Sequence, residues 1–142
     1  MIPLIHYGTL SNGVLTIPMG EACKCKIGLV SLELPSLVSM SKTLELDITC
    51  DQLDSNMFNR KRLLRRIYRN ITPNSSLSFE FTNILYFPVD SMDDKLTIRF
   101  HDQNGPLKSN GLSYSQTNTV TICLGVLPES QSRERWKNYI NE

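Results

Sequence analysis

Apolar and polar residues alternate along much of this chain, and the stretch from Leu77 to Leu107 shows the pattern most fully. Phe79 and Phe81 alternate with Ser78, Glu80 and Thr82, and Leu96, Ile98 and Phe100 alternate with Lys95, Thr97, Arg99 and His101. Period-two alternation turns one row of side chains inward and the next toward water, which is how half of a β-sandwich reads. Two strands are predicted here, over residues 77–87 and 95–101, the second closing on the turn Asp102-Gln103-Asn104-Gly105-Pro106. Pro88 cannot donate to a ladder, so the first strand should end there or reach a sheet edge.

The rest of the chain extends the same architecture. Residues 1–11 contain Pro3, Gly8 and a Ser11-Asn12-Gly13 turn signal, and read as an irregular arm. Val14–Pro18 is a short strand. The run over residues 22–34 places Cys23, Cys25, Ile27 and Leu29 on one face, then Val30, Leu32 and Leu34 on the other. That switch near Gly28 predicts a bulge, or a strand buried on both sides. In residues 44–50, Leu44, Leu46, Ile48 and Cys50 point in, and Glu45, Asp47 and Thr49 point out.

Residues 60–71 are ambiguous. Leu63, Leu64, Ile67 and Ile71 fit helical spacing, but a two-layer β fold needs a partner between Cys50 and Leu77, which favours a strand over 63–68. A Gly/Ser/Asn-rich loop follows over 105–118. The last strand, 119–127, alternates Val120, Ile122, Leu124 and Val126 with Thr119, Thr121 and Cys123. Beyond Pro128, residues 129–142 form a charged tail in which Trp136, Tyr139 and Ile140 stand at i, i+3 and i+4, the spacing of a short amphipathic helix. Seven or eight short strands with turns between them predict an all-β sandwich or jelly roll over residues 13–128, between an N-terminal arm (1–12) and a C-terminal tail (129–142).

Composition narrows the function. A chain of 142 residues with 40% hydrophobic content and a net charge of +1 fits one domain with its own core, neither disordered nor globally basic. No apolar run approaches the ~20 residues needed to span a bilayer. Residues 1–10 have neither a basic n-region nor a sustained apolar core, so no secretory signal is expected. Cys23, Cys25, Cys50 and Cys123 are then expected as thiols. The match of Asn70-Ile71-Thr72 and Asn74-Ser75-Ser76 to the glycosylation pattern carries no weight in such a chain.

No catalytic constellation can be assembled from these residues. The Cys23-x-Cys25 pair lacks the Cys-x2-Cys spacing usual for structural zinc, so buried apolar cysteines are expected and no metal or cofactor is implied. His101 adjoins Asp102, but neighbours on a strand face opposite ways and no nucleophile can be tied to them. An enzyme is therefore not expected. The most distinctive chemistry is the basic segment Arg60, Lys61, Arg62, Arg65, Arg66 and Arg69. It reads either as a contact for nucleic acid or an acidic partner, or as a solvated face whose charges pair with Glu45, Asp47, Asp51 and Asp54. Trp136, Tyr139 and Ile140 read as an anchor, either for the chain's own sandwich or for a neighbour.

The order of these motifs resembles the jelly-roll minor capsid or penton protein of Polinton (Maverick) elements, adintoviruses and virophages. The residues that carry the likeness are Val30-Ser31-Leu32-Glu33-Leu34-Pro35-Ser36, Ile48-Thr49-Cys50-Asp51, Leu63-Leu64-Arg65-Arg66-Ile67, the run from Phe81 to Val89, the run from Ile98 to Leu107, and Val120-Thr121-Ile122-Cys123-Leu124. The likeness covers roughly residues 23–126. It implies a single jelly-roll β-sandwich of about eight strands and a structural role in a virion, assembled in the cytoplasm or nucleus of a host cell. It also implies a homo-oligomer, a five-fold ring at a capsid vertex, touching the major capsid protein. The arm and the tail would be linkers to neighbours, and residues 60–69 would meet acidic surfaces or packaged nucleic acid. The alternative from a different class is a monomeric β-sandwich binding module that uses its loops and the basic segment.

Overall fold

The computed structural model describes residues 1–19, 24–34, 43–70, 77–90, 94–102, 105–107 and 119–128. The expected C-terminal helix, with Trp136, Tyr139 and Ile140, lies outside the described residues. Among the described residues twelve strands follow in chain order: β1 (Ile2–Thr9), β2 (Val14–Pro18), β3 (Lys24–Leu34), β4 (Thr43–Cys50), β5 (Asn56–Met57), β6 (Arg60–Lys61), β7 (Leu63–Asn70), β8 (Leu77–Glu80), β9 (Phe87–Asp90), β10 (Lys95–Asp102), β11 (Gly105–Pro106) and β12 (Thr119–Pro128). No helix among the described residues is long and apolar enough to cross a membrane.

One sheet runs β1-β12-β3-β8, with β9 also on β3; the other runs β11-β10-β4-β7, with β2 also on β10. The antiparallel pairs β1 with β12, β2 with β10, β3 with β8 and β9, and β4 with β7 are those of one long ribbon rolled on itself. That order is the double Greek key of a jelly roll. The protein is an all-β jelly-roll sandwich.

The inward parity of both sheets meets in a single core. Ile27, Leu29, Leu32, Val120, Ile122, Leu124 and Val126 come from one sheet, and Leu15, Ile17, Leu44, Leu46, Ile48, Leu96, Ile98 and Phe100 from the other; all are buried. Each large aliphatic removed from water this way contributes about 1.5–3 kcal/mol before conformational entropy is counted. The strand expected over 63–68 is present as β7, and the helical alternative is not adopted.

Expectations for three segments meet different outcomes. Residues 1–11 are not an irregular arm: Ile2–Thr9 pairs along its whole length with β12, from Ile2 opposite Val126 to Thr9 opposite Thr119. Ile2 supplies a buried side chain and β12 an open edge, so strand pairing satisfies backbone groups that a free arm would leave to water.

Second, the bulge expected near Gly28 is present, and with it the two halves of β3 face the same core. Ser31 pairs with Cys123 but Leu29 pairs with Leu124, so Val30 is an extra residue, a β-bulge. The bulge reverses the alternation and returns Leu32 and Leu34 to the side of Cys25 and Ile27.

Third, the strand expected over 77–87 is split. β8 pairs with Ser31–Leu34 and β9 with Lys24–Ile27, leaving the bulged part of β3 without a ladder on that side. Residues 81–86 leave the sheet there and cross over Gly28; a Cβ on Gly28 would lie 2.6 Å from the Leu85 carbonyl oxygen. Pro88 sits in β9, whose neighbours are β3 and an isolated bridge from Leu53, the near-edge position that a residue without an N–H tolerates.

The β4–β7 connection carries a small hairpin. Asn56 pairs with Lys61 and Met57 with Arg60, and the two-residue turn Phe58-Asn59 has φ of 52° and 58°. Two positive φ values define the type I′ turn that matches strand twist, a turn normally built from Asn and Gly. A phenylalanine there occupies a region disfavoured for bulky side chains. Arg62, φ 62°, returns the chain to β7, with its amide donating to the Ser55 carbonyl and its carbonyl accepting from the Cys50 amide.

Candidate functional site

The polar chemistry of the chain collects on the outer face of the β2–β10–β4–β7 sheet. Register sets it there: His101 on β10 lies opposite Asp47 on β4, which lies opposite Arg66 on β7. In the next outward row of β4 and β7, Glu45 lies opposite Tyr68. These residues, with Arg60 and Asp102, line an open cleft of about 340 Å³.

Asp47 is its electrostatic centre. Arg66 donates Nε to Oδ1 at 2.6 Å and a second guanidinium nitrogen to Oδ2 at 2.9 Å, a forked pairing. Arg60 approaches Oδ2 at 3.6 Å. The Arg66 hydrogen bond, outweighing partial burial, holds the Asp47 carboxyl below its ordinary value. Burial pushes the His101 imidazole down, helped by the cations Arg60 and Arg99, so His101 favours its neutral form. One strand row away, Arg99 donates Nε and a second nitrogen to the Asp51 carboxylate, each at 2.9 Å.

Arg65 and Arg69 sit on the opposite parity of β7 from Arg66. Their cross-strand partners are Ile48 and Leu44, both inward residues, because Leu64 is a bulge that resets the alternation. At this flank of the sandwich neither cation enters the core. Arg65 lays its guanidinium over the Phe81 ring at 4.1 Å and donates to the Asn83 carbonyl at 2.6 Å. Arg69 stands over Phe79 at 4.8 Å and donates to the Ser78 carbonyl at 3.2 Å. The two rings are parallel, 6.3 Å apart. The flank where the sheets meet is closed by two cation–π contacts, each worth about 0.5–1 kcal/mol where solvent reaches them.

The six cations read together in the sequence are thus divided three ways. Arg60 and Arg66 serve Asp47, and Arg65 and Arg69 serve the β7–β8 seam. Lys61 and Arg62 are exposed at the hairpin and make no ion pair among the described residues. Of the acidic partners expected for the segment, Asp47 is used, whereas Asp51 is taken by Arg99. The seam contacts were not foreseen. The available signal was the spacing of Arg65, Ile67 and Arg69 on one parity, matched by two phenylalanines two residues apart.

The cleft holds a carboxylate beside an imidazole that favours its neutral form, but no serine or cysteine among the described residues lines it. Cys25 and Cys50 are buried in the core and Cys123 is partly covered, none of the three in a disulfide; Cys23 lies outside the described residues. Burial pushes the Cys50 thiol up to about 11, which suppresses the reactive thiolate. Among the described residues no group of three His, Cys, Asp or Glu is placed to hold a metal ion.

The other sheet presents a different surface. Exposed Ile5 and Tyr7 project from β1. Near its far end an open groove of about 390 Å³ runs between Tyr7, Glu33, Leu77 and Thr121. Fold and surface together define a jelly-roll domain with one ion-paired face and one face carrying exposed apolar side chains. No protein-family model and no curated protein matches this sequence.

Proposed function

We propose that this protein is a structural, non-enzymatic capsid subunit of a virus or virus-like element, of the penton type, which assembles into a closed ring and contacts the major capsid protein. The observation that carries the reading is the strand order β1-β12-β3-β8 against β2-β10-β4-β7. The described residues of the motifs that resemble the Polinton and virophage proteins fall in turn on β3, β4, β7, the 81–89 crossing with β9, β10 with β11, and β12. A jelly roll by itself serves many functions, so the surface must supply the rest. Here the space between the sheets is filled by aliphatic and aromatic side chains, and four of the six cations of the basic segment are engaged within the molecule. Surfaces at the flanks and ends are what the protein offers to others, and a ring is made by repeating one heterologous contact.

Light scattering of the purified protein across concentration, with and without added DNA, tests the reading. Closed oligomers whose size is unaffected by nucleic acid are expected. A protein that stays monomeric at the highest concentration fits the alternative, a β-sandwich binding module working through its loops and residues 60–69, and overturns the capsid reading. Affinity for DNA that falls steeply with salt would assign Lys61 and Arg62 to phosphate contact.

A further inference from the structure

The β4–β7 connection that carries the Phe58 hairpin and the Tyr7–Glu33 groove belong to opposite ends of the sandwich, and the hairpin tip turns back over the outer face, where Arg66 meets the Phe58 ring and Arg60 reaches Asp47. Leu53 bridges to Val89, and the Asp54 amide donates to the Pro88 carbonyl, so the β4–β7 connection is tied to the end where β3 begins. The groove lies where β3 ends, among Leu34, Leu77 and Thr119. Eleven strand residues separate these ends, about 35 Å at the usual rise.

The hairpin tip is an exposed aromatic among cations. Phe58 is 66% accessible, and the Arg66 guanidinium lies 4.9 Å from its ring centroid, limiting where the ring can point. Arg60, Lys61 and Arg62 follow it after Asn59 in sequence. Its left-handed backbone suits Asn or Gly and disfavours phenylalanine, so the turn alone gives no reason for this side chain. The groove is complementary. Tyr7, 72% accessible, and Leu77 give it apolar walls, Thr119 and Thr121 line it, and Glu33 is the one charged residue among the described residues that line it. A basic aromatic tip and an apolar groove with a carboxylate fit the usual anatomy of an anchored contact, an aromatic in a pocket with charge at the rim.

We propose that Phe58 of one copy of this chain inserts into the Tyr7–Glu33–Leu77 groove of a second copy, head to tail, with Lys61 and Arg62 facing Glu33. The contact joins two different patches, so it is heterologous and repeats around a ring when the rotation closes. It rests on the ring-forming reading above and names the surfaces that reading requires.

Sedimentation velocity on the full chain tests it with two variants, Phe58→Asn and Glu33→Lys, each checked by thermal melting. Asparagine favours the turn's backbone, so Phe58→Asn keeps the fold and its melting temperature holds or rises. Each variant alone is expected to self-associate at least ~30-fold more weakly than the parent, as for loss of an interface anchor. Mixed in equal amounts, they restore one contact, the Glu33→Lys hairpin in the Phe58→Asn groove, and give dimers that grow no further. Thr121→Arg, which blocks the groove sterically, should behave as Glu33→Lys does. If Phe58→Asn assembles like the parent, this contact is wrong and ring formation stands on other surfaces. A mixture that forms no dimers overturns the head-to-tail geometry. A parent that is monomeric throughout overturns the contact and the ring together.

Discussion

Gly28 and Gly125 face each other across β3 and β12, yet one added methyl group should affect them differently. At Gly28 a Cβ would sit 2.6 Å from the Leu85 carbonyl oxygen and 2.6 Å from the Ile84 Cγ2. The carbonyl belongs to the backbone of the 81–86 crossing, which is tied to β3 by the Phe81 amide bonding to the Val30 carbonyl. Relief therefore requires the crossing to lift. Overpacking of this kind costs about 1–3 kcal/mol, against a gain of about 0.4–1 kcal/mol from stiffening the unfolded chain. The net for Gly28→Ala is a loss of roughly 1–2 kcal/mol, or about 3–8 °C in Tm for a domain of this size. At Gly125 the nearest atoms are Met1 Cγ and the Tyr86 hydroxyl, both at 2.9 Å and both on side chains that can swing aside. Gly125→Ala should stay within about 0.5 kcal/mol of the parent. Thermal and urea melts of the two variants side by side decide it. If Gly28→Ala melts with or above Gly125→Ala, the 81–86 segment does not pack on β3 as described.

Two further outcomes follow from the titrating groups. Asp47 is held low in the folded state by Arg66, so its stabilisation is complete above about pH 4 and is lost as pH falls through its folded value. His101 is held low by burial, then by Arg60 and Arg99; the unfolded chain takes up its proton below about pH 6.5 while the folded state resists, so stability falls on acidification from there. Melting temperature against pH should be flat from about 6.5 to 8 and decline below, and His101→Gln should flatten the upper part of that decline; an unchanged profile in the variant would refute the assignment. Cys50, pushed up to about 11, should resist iodoacetamide at pH 8 in the native protein while partly exposed Cys123 is alkylated, and mass mapping of the labelled cysteines checks the order.

The strands legible in the sequence were those with polar residues on one parity. Leu44, Leu46 and Ile48 alternate with Glu45, Asp47 and Thr49, and Leu96, Ile98 and Phe100 with Lys95, Thr97 and Arg99, so burial of one face is written locally. β1 escaped because Ile2 and Leu4 point inward while Ile5 and Tyr7, equally apolar, point out, which erases the alternation. Its pairing with β12 is also a long-range fact that no local window contains. The bulge in β3 was legible from the change of face near Gly28, but its effect on the strand alongside was not: one extra residue at Val30 leaves β8 and β9 to pair separately on either side of it. In the basic segment the charge was plain and its destinations were not. Arg65 and Arg69 find Phe81 and Phe79 only because the jelly roll sets β7 beside β8.

The pairing of β1 with β12 bears on how the molecule comes into being. As the chain grows from its N-terminus, Thr9 waits for Thr119, about 110 residues later, before its ladder can close. At ~5–20 residues per second that is roughly 5–20 s, long against the microseconds in which hairpins form. Through that interval Ile5 and Tyr7 accompany unpaired backbone on a nascent polypeptide, an open strand edge available for wrong pairing. The sandwich is sealed by its last strand, and a ribosome that stalls before Thr119 leaves β1 and β3 without the strand that joins them.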